Sequence, residues 1–375
     1  MNVRIRNIIR IICFVLIFVI LFPMVSDTLS PKNYQWKNFR GFYSEERDSL
    51  DLVYIGGSAC YMSWVPYTAW ENSGYTSYAL GTSSFMSFAY MPLVKEVLAY
   101  QNPQFLIIDA RPFVYTYSEL SGCVTSGITF INSLKAYSTN RLTAALKCYE
   151  IYKQVSAAGE WTGGEETIGS MLFDVERFHG FWNQLDRSFF APDADERQYN
   201  YSKGFYGVKE NKELELTDNS DIKTMRETNA DALADLTDLL DYLDEKNIKA
   251  LFVVAPSKET ADQKEEYNYL ASVIENRGYG FLDANDYTAE IGLDESTDYY
   301  DGNHLNIYGA EKYTLYLTKY VKNTYGISAS HSANIENQWA EGSLKWNDIA
   351  IAIKNGKFSA ITGEYIIDID GDNDE

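Results

Sequence analysis

Two short stretches carry side chains able to do acyl chemistry. Ser58 closes the apolar run DLVYIGGS at 51–58, and Asp301 and His304 stand three apart in YYDGNHLNIYGAEKYT at 299–314. A serine hydroxyl is a weak nucleophile and needs a base. Histidine is the usual base, and a carboxylate fixes its tautomer. An Asp-x-x-His turn delivers base and orienter together. The chain has three histidines, His179, His304 and His331, and one of them falls where such a unit needs it. The competing reading is that Ser58 only caps a helix and that His304 is a polar loop residue.

The surrounding pattern supplies elements that could bring these residues together. Apolar runs at 51–58, 75–80, 104–110, 248–256 and 279–285 read as short strands. Stretches at 61–72, 86–100, 220–246, 258–276 and 308–324 have helical spacing. The fully apolar run QFLIIDA at 104–110 suits a central parallel strand. Strands alternating with helices predict a parallel, doubly wound sheet. Ligands bind such sheets at the carboxyl ends of the strands. Ser58 follows the first strand, where Gly56 and Gly57 allow a sharp bend, and the Asp301–His304 turn follows the last. Between about 115 and 215 the alternation stops. That stretch is rich in Tyr, Trp, Phe and Gly, with one helix expected near 133–157, and reads as an insertion. Its aromatic residues Trp161, Trp182, Tyr199, Tyr201, Phe205 and Tyr206, and His179 with them, suit packing first and sugar contact second.

Taken together, Ser58 after the first strand and DGNH as a final Asp-x-x-His block resemble the SGNH (GDSL) hydrolase superfamily. The order Ser, Asp, His along the chain agrees, over about 51–325. The resemblance implies a three-layer α/β/α sandwich with a flavodoxin-like sheet. It also implies a catalytic Ser58–His304–Asp301 triad. Gly81, in YALGTSS, falls where the superfamily places the glycine of its second block, whose N–H helps bind the oxyanion. The third block, Gly-x-Asn-Asp, is absent, and Asp109, Ala110 and Arg111 stand in its place. Arg111 or Thr82 could replace the missing asparagine. The nearest subgroup in kind is the membrane-anchored, DltD-like set that works beside a membrane-bound O-acyltransferase on cell-envelope polymers.

The amino terminus fits that subgroup. Arg4, Arg6 and Arg10 precede an apolar run to Val25. About 18 residues at 1.5 Å each span roughly 27 Å, close to a bilayer core. The basic flank predicts a cytoplasmic stub with the bulk outside. The exit, Phe22-Pro23-Met24-Val25-Ser26-Asp27, is a poor cleavage site, so a signal-anchor transmembrane helix is expected over a cleaved signal peptide. The expected organisation is a stub and anchor at 1–32, a polar linker at 33–50, an α/β domain at 51–327 with its insertion, and an extension with an acidic tail at 328–375.

Composition narrows the alternatives. The formal net charge is −21, from 53 acidic and 32 basic residues. Such a chain repels phosphate backbones, which argues against nucleic acid as a partner. Four cysteines without paired spacing argue against a disulfide scaffold or a cysteine zinc site. The tail DIDGDNDE lacks the glycine and glutamate positions of a calcium loop, and no metal or cofactor is called for. The expected partners are an acyl donor, a polysaccharide or teichoic-acid-like acceptor, and a membrane-bound O-acyltransferase. The expected function is O-acyl (acetyl or D-alanyl) transfer outside the membrane. The rivals are a secreted esterase or carbohydrate deacetylase with the same triad, and a non-catalytic partner of the acyltransferase.

Overall fold

The computed structural model describes residues 3–29, 33–115, 122–177, 202–359 and 364–365. His179, Trp182, Tyr199, Tyr201 and the acidic tail fall outside them. Five strands form one parallel sheet: β1 (Leu52–Gly56), β2 (Ser77–Gly81), β3 (Phe105–Asp109), β4 (Ala250–Val254) and β5 (Gly280–Asp283). Their spatial order is β2-β1-β3-β4-β5. Every residue of β1 to β4 is buried, so both faces of the sheet are covered. That is why these strands read as continuous apolar runs rather than alternating ones. The chain leaves β1 toward one edge, then returns past it to β3. The crevice of such a sheet opens where this direction reverses, between the carboxyl ends of β1 and β3.

Local chemistry sets the helix boundaries near that crevice. After β1 the chain forms α3 (Ser58–Ser63) and α4 (Pro66–Ser73), where the sequence pattern predicts one helix over 61–72. Pro66 explains the break, because the residue before a proline is pushed to extended backbone, and Val65 has ψ 97°. The freed Val65 N–H is received by Thr314 Oγ1 at 2.9 Å. Gly74 ends α4 with φ +74°, as expected for a left-handed cap. Helix α5 (Tyr90–Tyr100) joins β2 to β3. On the other side of the sheet order come α10 (Ala230–Lys246), α11 (Ala261–Glu275) and α12 (Thr288–Ile291). The acidic helix begins at 230 rather than 220, with Asn229 capping the N–H groups of Asp231 and Ala232. Helix α13 (Ile307–Tyr325) closes the domain, and α14 (Ala333–Lys354) packs back onto α4. His331, just before α14, is tied to Asp51 at 2.7 Å.

Two expectations about organisation need correction. The stretch at 33–50 is no polar linker: it holds α2 (Tyr34–Ser44), with Phe39 and Phe42 fully buried in the domain core. Helix α2 lies along the edge strand β2, and Asn38 Nδ2 donates to the Ala79 and Gly204 carbonyls. The insertion packs into that core, as expected of its aromatic residues, and what needs correction there is the single expected helix. It contains α6 (Cys123–Ser133) and α7 (Thr139–Ala157), then the short α8 (Ile168–Leu172) and α9 (Asp174–Arg177), where one helix near 133–157 was expected. Buried Glu96 of α5 accepts from Tyr43 Oη, Ser138 Oγ and Asn140 Nδ2 at 2.6–2.8 Å, fastening the start of α7 to α2 and α5. Buried Arg141 donates to Leu134 O, Asn132 Oδ1 and Leu172 O. Trp161 packs at the edge of the core, and Phe205 and Tyr206 pack within or against it.

The first helix, α1 (Val3–Thr28), stands apart in character. Its segment Val3–Pro23 is long and apolar enough to cross a membrane, with mean hydropathy 2.5, and it is exposed up to Leu21, with Phe22 half-buried and Pro23 buried. Past Pro23 it meets the insertion: Ser26 and Leu29 are buried, and Ser26 Oγ accepts from Val175 N at 3.3 Å. Cys13 is exposed on this helix. Cys60, Cys123 and Cys148 are buried free thiols, each with its pKa raised above the usual thiol value, chiefly by burial.

Because α2 is a core element, Phe42→Ala should cost about 3–5 kcal/mol of stability, lowering the single thermal unfolding transition of the whole domain by circular dichroism. A linker residue would leave the transition unmoved.

Candidate active site

Ser58 is the first residue of α3, placed at the crevice by the bend after β1. Gly56 has φ +155°, and a Cβ there would stand 2.4 Å from the Asp109 Cβ. This bend therefore requires glycine. Opposite it, Asp301 ends β6 (Tyr299–Asp301) and His304 begins β7 (His304–Leu305), a small hairpin that leads into α13. Asn306 caps α13 by accepting from the N–H groups of Tyr308 and Gly309, which fixes the exit from the turn.

These two loops meet. Ser58 Oγ lies 2.7 Å from His304 Nε2, and His304 Nδ1 lies 2.8 and 3.0 Å from the two Asp301 oxygens. All three side chains are partly accessible. Partial burial pushes the Asp301 carboxyl up, but hydrogen bonds from the His304 ring and the Asn303 N–H pull it further down, and the net shift is downward. Asp301 is thus an anion facing Nδ1. The proton of a neutral imidazole then sits on Nδ1, leaving Nε2 to accept from the Ser58 hydroxyl. The arrangement can raise the nucleophilicity of Ser58 by taking its proton as a bond forms.

A cavity of about 390 Å³ opens over this group, lined by Gly57, Ser58, Ser84, Phe85, Asp109, Arg111, Tyr115, Gln263 and His304 among others. Arg111 reaches it, but two of its contacts are internal. Its Nε stands 3.4 Å from Asp109 Oδ1, and its Nη1 donates to the Asn303 carbonyl at 2.9 Å. Burial works against its charge and Asp109 leads the groups that favour it, with the net shift upward, so the side chain remains cationic. Asp109 Oδ2 in turn accepts from Gly57 N at 3.4 Å. Arg111 and Asp109 therefore brace both the Ser58 loop and the His304 turn from the end of β3.

The other two candidates are placed differently. Gly81 forms the last pair of the β1–β2 ladder opposite Gly56, and a Cβ on it would lie 2.2 Å from the Gly56 carbonyl oxygen. Its glycine is required by close strand approach, and it is not among the cavity-lining residues. Thr82 is fully buried with an unpartnered Oγ1, also outside the cavity lining. Nearby, Ser83 Oγ receives a hydrogen bond from Gln35. Ser84 lines the cavity with φ +49°, strained for a residue with a side chain. Cys60 points away, its thiol donating to Tyr54 O at 3.0 Å. Sequence reasoning missed Tyr115 and Gln263, which carry no spacing signal because they come from the insertion boundary and α11.

No known family's sequence pattern matches the chain, and neither a curated protein nor a solved structure is detectably similar to it.

A carboxyl cluster backs the Asp301–His304 turn. The loop after β4 is joined to that turn by Lys258 N donating to Gly302 O at 2.7 Å. Next to it, buried Glu259 lies near Asp283, and Lys264 bridges Asp283 and Asp286 at 2.7 and 2.6 Å. Burial first, and then the Asp283 charge, push the Glu259 carboxyl up to about 9. Its native value exceeds its unfolded one, so the native state holds a proton that the unfolded chain releases. Stability from this group is fully present below the ordinary glutamate range of about 4.3 and is lost as pH rises toward about 9. Glu259→Gln, which cannot ionise, should therefore match the wild type in melting temperature near the acid end. It should melt progressively higher than wild type as the buffer approaches pH 8. A gap that does not change with pH would mean that Glu259 is ionised in the native protein.

Proposed function

We propose that the chain is an exported, membrane-anchored serine acyl-ester enzyme of the SGNH type. In this reading it transfers an O-acyl group, acetyl or D-alanyl, to a polysaccharide or teichoic-acid-like polymer of the cell envelope, beside a membrane-bound O-acyltransferase. The observation that carries the reading is the continuous hydrogen-bonded chain Ser58–His304–Asp301 at the floor of an open cavity. A protein that only held a partner would have no need for this geometry. The sheet order and the position of the serine after β1 support the superfamily assignment, and Val3–Pro23 with its basic flank supports the anchor and an outward-facing domain.

The steps follow from the atoms present. Ser58 Oγ attacks the acyl carbonyl while its proton passes to His304 Nε2. Asp301 stabilises the imidazolium through Nδ1–H. The carbonyl oxygen becomes an oxyanion beside the start of α3, where the Ser58 N–H, unpaired within its helix, can donate to it. Collapse breaks the bond to the leaving group, which takes the proton from Nε2, and an acyl ester remains on Ser58. An acceptor hydroxyl then enters the cavity, gives its proton to His304 Nε2 and attacks the ester. The new ester departs and the Ser58 hydroxyl is restored. Water in the acceptor's place gives hydrolysis, the esterase alternative. Arg111 acts from behind, holding the Asn303 carbonyl and so the pitch of the His304 turn.

With an activated acetyl ester as substrate, Ser58→Ala should lower turnover about 10⁴-fold or more, and His304→Ala about as much. The double variant should be barely slower than either, because the two groups act as a unit. Multiplicative losses would separate them and remove the triad. An acyl adduct on Ser58, found by mass spectrometry, should disappear in Ser58→Ala. A polymer acceptor that raises ester consumption and becomes acylated distinguishes transfer from hydrolysis.

A further inference from the structure

The insertion carries an exposed apolar face placed against the anchor helix. Tyr137, just before α7, is 62% exposed, and its hydroxyl is shared between the carbonyls of Val19 and Ile20 at 3.0 and 2.9 Å. Both acceptors lie inside the apolar span, which runs to Pro23. Ile20 is three residues short of that end, roughly 4.5 Å along the helix axis. A side chain that reaches those carbonyls must itself sit at the level of the bilayer's outer interface. One turn further, Leu142 and Leu146 are 48% and 46% exposed on the outer side of α7. The inner side of the same helix is pinned by Glu96 and Arg141, so this face cannot turn inward. Phe173 adds an edge contact to Phe22, with ring centroids 4.9 Å apart.

We infer that Tyr137, Leu142 and Leu146 form a second membrane contact, seating the insertion in the interfacial layer of the bilayer beside α1. The occupant of this face is lipid. Tyr137 joins this end of α7 to the apolar span through its two carbonyl bonds, and an aromatic with one wet end is suited to that depth. Attraction to anionic headgroups contributes little, because the chain carries a net charge of −21. The contact is apolar and should be insensitive to salt. It turns a tether at one helix into a two-point attachment that fixes the tilt of the domain over the membrane.

The inference rests on α1 spanning the bilayer, and the experiment separates the two. The full-length chain is reconstituted in vesicles of zwitterionic phosphatidylcholine, with an environment-sensitive fluorophore on single accessible cysteines. Natural Cys13 reports the span. L142C and L146C, each combined with C13S, report the proposed seat. M225C, also with C13S, is an exposed reference beside α11, on the β5 side of the sheet. Nitroxide-bearing lipid labelled near the headgroup should quench the labels at 142 and 146 about twofold, as expected for burial at the interface. It should leave 225 unchanged, with the same result in low and high salt. Quenching at Cys13 but not at 142 or 146, with both open to iodide, would overturn the seat and leave that face for a protein partner. Absence of quenching at Cys13 by lipid carrying its nitroxide deep in the acyl chain, at the level of the middle of the span, would overturn both the anchor and the seat. Circular dichroism of each labelled variant establishes that the fold is retained.

Discussion

Asp109 and Arg111, two residues apart at the end of β3, hold the Ser58 and His304 loops in register. The Asp109 carboxylate receives the Gly57 N–H beside Ser58, and the Arg111 guanidinium grips the Asn303 carbonyl beside His304. Neither residue could be buried alone at acceptable cost, since an unpaired charge in this setting is strongly destabilising. Together they form a neutral unit that spans the switch point of the sheet. The bend at Gly56, the approach of β1 to β2 at Gly81 and the hairpin that presents His304 all converge on that unit. Removing its arginine side chain would leave a buried carboxylate without its countercharge and the His304 turn without its support.

Much of this was legible in residue types and order. Ser58, Asp301 and His304 could be singled out because a serine after a glycine bend and an Asp-x-x-His turn have few uses together. The strands were legible because complete burial makes them plain apolar runs. The roles of Arg111, Gly81 and Thr82 were less legible. A sequence shows that an arginine stands near a site, not which way its fork points, and here two of its donors turn to protein atoms. The glycine at 81 is explained by a backbone contact with Gly56, 25 positions away, which no local pattern encodes.

Helix α2 is the plainest miss, and a signal for it existed. Trp36, Phe39 and Phe42 recur at helical spacing, and Asn33 stands in place to cap the first turn, its side chain accepting from Trp36 N. Polar neighbours and proximity to the anchor favoured a linker, but three aromatic residues on one face need a surface to cover them. They find it against β2 and α6. The insertion was opaque for a related reason. Its helices bury buried-polar groups such as Arg141 and Asn132 against one another, so hydrophobic periodicity alone understates how firmly they are packed.

The three thiols of the folded domain bring a hazard with them. Cys60, Cys123 and Cys148 are unpaired, interior and held in their protonated form. On the outward side of a membrane, where the proposed topology puts them, oxidants and disulfide-exchange catalysts are abundant. The thiolate is the reactive species, so these sulfurs are inert only while the core stays shut. Their lifetime is then governed by how often the core breathes open rather than by intrinsic thiol chemistry. Each opening event exposes a group whose oxidation would block reclosure, and chemical ageing of the protein becomes a readout of its conformational dynamics.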